Sequence, residues 1–230
     1  MAPHSIPAGS ALDEETARAE LYGLLAQLYY APPAPGLLEA LRVAATDAPA
    51  RGGFLEEPWR ALVGAAREMS DREIGTEYDA LFGGVGKPEV YLFGSHYISG
   101  FLNEKPLARL RADLAALGLA RDEAMPETED HVAYLCEVMR YLIAGDGPPL
   151  AGDSPPGGQR NVGADNSPGD DVAVANLARQ SEFFAAHLQP WFPAMCDAIA
   201  AHPRAKFYAV LAAFTRAFAG VEAQGFDMLA

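Results

Sequence analysis

Residues 70–84 read SDREIGTEYDALFGG. Ser70 followed three residues later by Glu73 is a capping box, in which each side chain satisfies a backbone N–H at the start of a helix. Behind it Ile74, Tyr78, Leu81 and Phe82 fall at i, i+4, i+7 and i+8, one face of a helix. Gly83, Gly84 and Gly86 stop that helix, and Pro88 confirms the break. The same 3.6-residue periodicity recurs on both sides. Upstream, Ser10 and Asp13 form a capping-box pattern ahead of Leu21, Leu24, Leu25 and Leu28, and Pro32, Pro33 and Pro35 end the run. A short helix is expected over about 36–45 and another over Phe54–Met69. Downstream, Asn103 is the expected cap of a helix carrying Leu107, Leu110, Leu114 and Leu117, with Gly118 at its C′ position. The next helix opens near Thr128 and runs through Val132, Leu135, Cys136, Met139 and Leu142 to Gly145.

Residues 145–170 hold 12 Gly and Pro in 26 and read as a flexible loop. Three helices follow, marked by Val174–Leu188, by Phe192–Ile199 with Pro190 at its start, and by Phe207–Phe218. No alternating strand pattern of useful length and no repeat at a fixed period occur. The expectation is one compact all-α bundle of about eight to ten helices over residues 1–230, interrupted by the 145–170 loop.

Composition narrows the function. The 230 residues include 17 Lys+Arg and 31 Asp+Glu, a net charge of −14. A nucleic-acid binder needs a basic footprint, so that class is set aside. A basic peptide remains a fitting partner, because opposite charge steers encounter. Cys136 and Cys196 are too few for a disulfide framework and read as buried thiols. The opening MAPHSIPAGS lacks a charged n-region and an apolar h-region, and no window approaches 18 uncharged apolar residues. A cytoplasmic location without stable membrane insertion is the expectation.

Most familiar chemistry is missing. There is no H-E-x-x-H and no Cys-x-x-Cys. Gly86-Lys87 lacks the earlier glycine and the following Ser or Thr of a phosphate loop. Gly94-Ser95-His96 lacks the flanking glycines of a nucleophile elbow. A haem can be held by one histidine, and the sequence leaves that open; no cofactor is otherwise expected. Two features stand out. Residues 83–102, GGVGKPEVYLFGSHYISGFL, form an aromatic loop with five glycines, which must pack on something or present a surface. Glu127, Glu129, Asp130 and His131 crowd the expected start of a helix. The acids there either complement the helix dipole or form a pocket for a cation, with His131 fixing a carboxylate. Asp130 with His131 also admits an acid/base enzyme, although no nucleophile has motif support.

These residues resemble a known family. Glu77-Tyr78-Asp79-Ala80-Leu81-Phe82, then Gly86-Lys87-Pro88, then Tyr91–Tyr97 with Gly94-Ser95, then Gly100, look like the first signature of the TorD/DmsD/NarJ-type chaperones. Glu127-Thr128-Glu129-Asp130-His131 is similar to the family's E-P-x-D-H segment, with Thr128 in place of the usual proline. Phe183-Phe184, His187-Leu188 and Trp191 resemble a third stretch, and the likeness spans about residues 15–220. Leu92-Phe93-Gly94-Ser95 departs from the usual proline-aromatic-x-Ser form.

The resemblance implies a TorD-like helical chaperone, not an enzyme. Its partners would be a molybdenum-cofactor oxidoreductase and that client's twin-arginine leader peptide, held until the cofactor is loaded. It implies a peptide site drawn from Tyr78, Leu81, Phe82, Ser95, Tyr97, Glu127, Glu129, Asp130 and His131. The GKPEVYLFGS wording looks closest to members with formate dehydrogenase-like clients. A monomer or a domain-swapped homodimer would serve. A structural helical adaptor is the remaining alternative. It would leave the aromatic loop and the acidic segment without a role.

The 145–170 segment lacks apolar periodicity and has little area to bury. Replacing it with a few Gly/Ser residues is expected to leave thermal melting within about 8 °C of the parent, a bound on the order of 2–4 kcal/mol for a chain of this size. A larger drop would mean that the segment packs on the core.

Overall fold

In the computed structural model, residues 8–46, 55–83, 87–100, 105–122, 125–144 and 169–228 are described, without the side chains of 8–13 and 169–175. Ten helices lie among them and no strand: α1 Ala8–Tyr30, α2 Pro35–Val43, α3 Glu56–Glu68, α4 Asp71–Leu81, α5 Gly94–Ser99, α6 Lys105–Ala116, α7 Val132–Ala144, α8 Gly169–His187, α9 Phe192–Ala200 and α10 Phe207–Asp227. The all-α bundle expected from the periodicity is therefore what forms.

Helix α7 is the axis of the bundle. Eight of its thirteen residues are buried, from Val132 to Ile143, so it is apolar around most of its circumference. It packs lengthwise against α1, which contributes Tyr22, Leu25, Leu28 and Tyr29, and α8 lies on it as well. α10 is the second long element and contacts α3, α4 and α9 through a face of Phe207, Tyr208, Leu211, Phe214 and Phe218. Both cysteines are buried free thiols, and burial pushes the Cys196 thiol up to about 12.

The Ser70–Glu73 capping box forms as expected, with reciprocal bonds from Glu73 N–H to Ser70 Oγ and from Ser70 N–H to Glu73 Oε2. α1 starts at Ala8, so Ser10 lies inside the helix; the side chains of Ser10 and Asp13 are outside the described residues. Asn103 and positions 145–168 are also outside them. Gly118 closes α6 in a Schellman motif: φ is +74°, Leu119 N–H reaches Leu114 O at 2.9 Å, and Gly118 N–H reaches Ala115 O at 3.0 Å.

Three buried acids bind the elements together. Glu77 of α4 accepts the backbone N–H groups of Lys206, Phe207 and Tyr208 at 2.7, 3.1 and 2.8 Å. It caps α10 from another helix, where Lys206 offers no cap of its own. Glu222 takes a bidentate fork from Arg18 at 2.8 Å on each oxygen, plus the Tyr22 hydroxyl at 3.0 Å. Asp130 is the third and belongs to the site described below.

The aromatic segment expected as a loop contains α5. Gly94 permits it: a Cβ there would stand 3.0 Å from Nε1 and 3.1 Å from Cε2 of Trp191. That indole is buried, donates to His187 O and stacks on Tyr97. It has little room to give. Gly94→Ala is therefore expected to lower thermal melting by several degrees, on the order of 1–3 kcal/mol for an overpacked core, despite the better helix propensity of alanine. A variant that melts higher than the parent would show that Trp191 can shift.

Candidate functional site

The 125–131 segment crosses behind the aromatic segment and joins it through an isolated antiparallel bridge, Phe93 to His131. Gly94 N–H donates to Asp130 O at 3.0 Å, and Val132 N–H donates to Leu92 O at 2.8 Å. α7 begins at Val132, later than the Thr128 start read from the sequence, so Glu127, Glu129 and Asp130 lie in the turn ahead of the helix. The reason is visible in the bonds. Asp130 is buried, its Oδ2 accepts the Ser95 N–H at 2.8 Å, and its Oδ1 accepts the Thr128 hydroxyl at 2.6 Å. The carboxylate serves the first turn of α5 rather than that of its own helix.

His131 caps α7 itself. Its Nδ1 accepts the Ala133 N–H at 3.2 Å, which places the neutral ring's proton on Nε2. The ring is buried, edge-on to Phe93 at 5.0 Å and to Tyr30 at 6.4 Å. Burial lowers its pKa to about 4, outweighing the neighbouring Asp130 charge. The carboxylate expected to lean on His131 is thus held by Thr128 and Ser95 instead.

The other expected site residues divide. Tyr78 donates its hydroxyl to the carbonyls of Tyr30 at 2.8 Å and Tyr29 at 3.2 Å, closing the end of α1. Phe82 packs edge-on against Tyr78 and Tyr208 at 5.2 and 5.0 Å. Leu81 is wholly in the core. Ser95 is buried, and its Oγ has no hydrogen-bond partner among the described residues. Tyr97 stacks on Trp191 and donates to Tyr91 O at 2.8 Å. Glu129 takes a bidentate fork from Arg111 at 2.9 and 3.0 Å; burial works against its charge, but the fork prevails and holds the carboxyl below its usual range.

Two cavities flank this junction. One, of about 440 Å³, is bordered by Gly94, Ser95, Asp130, His187 and Trp191, with Lys105 and Arg109 at its edge. The other, of about 260 Å³, lies between α1, the end of α6 and α7. Its wall is mostly apolar: Ala26, Leu114, Leu119, Met125, Ala133 and Val138, with Tyr30, Tyr134, Gln27, the acids Glu129 and Glu137 and the cation Arg121. Tyr30 is the hub that the sequence did not reveal. It is 44 % exposed, its ring lies 5.8 Å from Tyr134, and its carbonyl takes the Tyr78 hydroxyl. Glu127 stands within electrostatic range of both Tyr78 and Tyr134. The nine expected residues therefore do not line one pocket. Tyr78 and His131 meet Tyr30, Phe82 packs on Tyr29, Tyr78 and Tyr208, Glu127 lies near Tyr78 and Tyr134, Glu129 faces the apolar cavity, and Ser95 with Asp130 faces the other.

Among the described residues, no group of three or more His, Cys, Asp and Glu side chains is placed to hold a metal ion. No helix among them is long and apolar enough to cross a membrane. A family model described as nitrate reductase delta subunit matches residues 53–197, from just ahead of α3 into α9. No curated protein matches the chain.

The buried histidine carries a pH signature. An unfolded histidine takes up a proton near pH 6.5, whereas folded His131 stays neutral down to about pH 4. Its share of stability is complete above pH 6.5 and is lost as pH falls toward 4, about 2 kcal/mol of it by pH 5. Thermal melting is expected to fall between pH 7 and pH 5. His131→Asn, which keeps a cap acceptor without a titrating ring, is expected to flatten most of that slope. Parallel profiles for parent and variant would assign the effect to another group, such as His187, whose pKa burial also lowers.

Proposed function

The chain belongs to the nitrate reductase delta subunit family of NarJ/TorD-like molybdoenzyme maturation chaperones, and from that premise we propose that it binds the N-terminal leader of a molybdenum-cofactor oxidoreductase in the cytoplasm. The leader is of the twin-arginine kind, and the chaperone holds it until the cofactor is in place. The observation that carries this reading is the apolar cavity between α1, α6 and α7, with Glu129, Glu137 and Arg121 in its wall and Glu127 within electrostatic range of Tyr134.

A leader that joins two arginines to an apolar stretch fits this chemistry. Its aliphatic side chains find Leu114, Leu119, Met125 and Val138. Its guanidiniums find carboxylates with which they pair in a planar fork, and tyrosine faces over which a cation is attracted. The net charge of −14 draws such a peptide in from a distance. The client read from the GKPEVYLFGS wording is formate dehydrogenase-like. An acid/base enzyme built on Asp130 and His131 gains no support, because Asp130 caps α5 and His131 caps α7.

The test is a calorimetric titration of a synthetic peptide with two adjacent arginines ahead of a ten-residue Leu/Ala stretch, at low and at high ionic strength. Binding is expected at both, several-fold weaker at high salt because surface charges are screened beyond about 8–10 Å. No binding at either would sink the leader reading. Equal affinity at both would remove its electrostatic part.

A further inference from the structure

Glu129 and Glu137 face the same apolar cavity, and each already carries a guanidinium of this chain. Arg111 of α6 grips Glu129 through Nε and Nη2 at 2.9 and 3.0 Å. Arg140, one turn further along α7, donates through Nε to Glu137 at 2.7 Å. The two halves of each pair are unequal. The carboxylates are the sheltered partners, at 11 % and 22 % exposure, while Arg111 and Arg140 stand at 51 % and 32 %. A carboxylate set in an apolar wall needs a cation, but any planar fork satisfies it.

Building on the leader reading above, we infer that Arg111 and Arg140 are resident placeholders. They occupy the seats that the client's two guanidiniums take, and they swing out into solvent when the leader enters. At Glu129 an entering fork replaces a leaving fork, and at Glu137 it replaces a single Nε donor, so no charge-assisted bond is lost. The apolar stretch then supplies most of the affinity. The arginine pair supplies discrimination, because a lysine ammonium lacks the planar double donor and an uncharged pair leaves the residents in place. In the empty chaperone the same two arginines compensate Glu129 and Glu137, while Arg121, also in the wall, is spent on the Met125 carbonyl.

The experiment compares the arginine-pair peptide with a version carrying two alanines in its place, against the parent, Arg111→Met and Glu129→Gln. Methionine keeps the unbranched apolar stem of Arg111 and removes its charge. Arg111→Met is expected to tighten the arginine-pair peptide by about three- to tenfold, as the worth of a released competing pair, and to leave the alanine peptide unchanged. Glu129→Gln is expected to abolish most of the preference for arginine over alanine. Melting of Arg111→Met is expected within about 3 °C of the parent, since a half-exposed pair contributes little. Should Arg111→Met fold poorly, Arg140→Met poses the same question at Glu137. Unchanged or weakened binding of the arginine-pair peptide by the placeholder variant would overturn the inference while leaving the leader reading intact. If neither peptide binds the parent, both fall together.

Discussion

The carboxylate and carbonyl of Asp130 fasten the start of α5 to the strap that leads into α7, and the geometry of the site depends on that fastening. Without it the Phe93–His131 bridge, the approach of Gly94 to Trp191 and the stacking of Tyr97 would have no common anchor. Three residues within one stretch of four each serve a different partner there. Thr128 orients the carboxylate, Asp130 caps α5, and His131 caps α7. A helix of six residues is marginal alone, and this one is held by groups that do not belong to it.

The chain's acidity is organised accordingly. Among the described residues the buried acids are all assigned internally: Glu77 to three backbone N–H groups, Asp130 to one N–H and a hydroxyl, Glu222 to Arg18 and Tyr22. Each compensates the loss of water with charge-assisted bonds, as a buried charge must. The other acids among the described residues lie at or near the surface, where they act as a field on a cationic partner. Glu129 and Glu137 lie between these two groups, partly sheltered and partly accessible.

What could be read from the sequence divides along the range of the interactions. α4 was legible in full because its cap, its apolar face and its stop all lie within fifteen residues. α6 was legible at its C-terminus for the same reason, since Leu114, Gly118 and Leu119 make the Schellman motif locally. α5 was not, because Phe93 offers no side-chain cap and the capping carboxylate comes from Asp130, 35 residues away. The same long-range cap misplaced the start of α7: acids at 127–130 imitate a first helical turn, but Asp130 is committed to another helix. Tyr30 gave no signal, because an aromatic residue at the end of an apolar helix reads as core. Glu137 carries no sequence signal of its own, and only the fold shows that it faces a cavity.

The bridge between Phe93 and His131 also bears on how the chain folds. It closes a loop of 38 residues and holds α5 only once α6 and the 125–131 strap have come together. Closure of that kind is a late event, since the entropy of the intervening chain must be lost before the contact forms. The amides of Gly94 and Ser95 thus belong to one cooperative unit with the start of α7. Their hydrogen exchange reports the opening of that unit, not the fraying of a short surface helix.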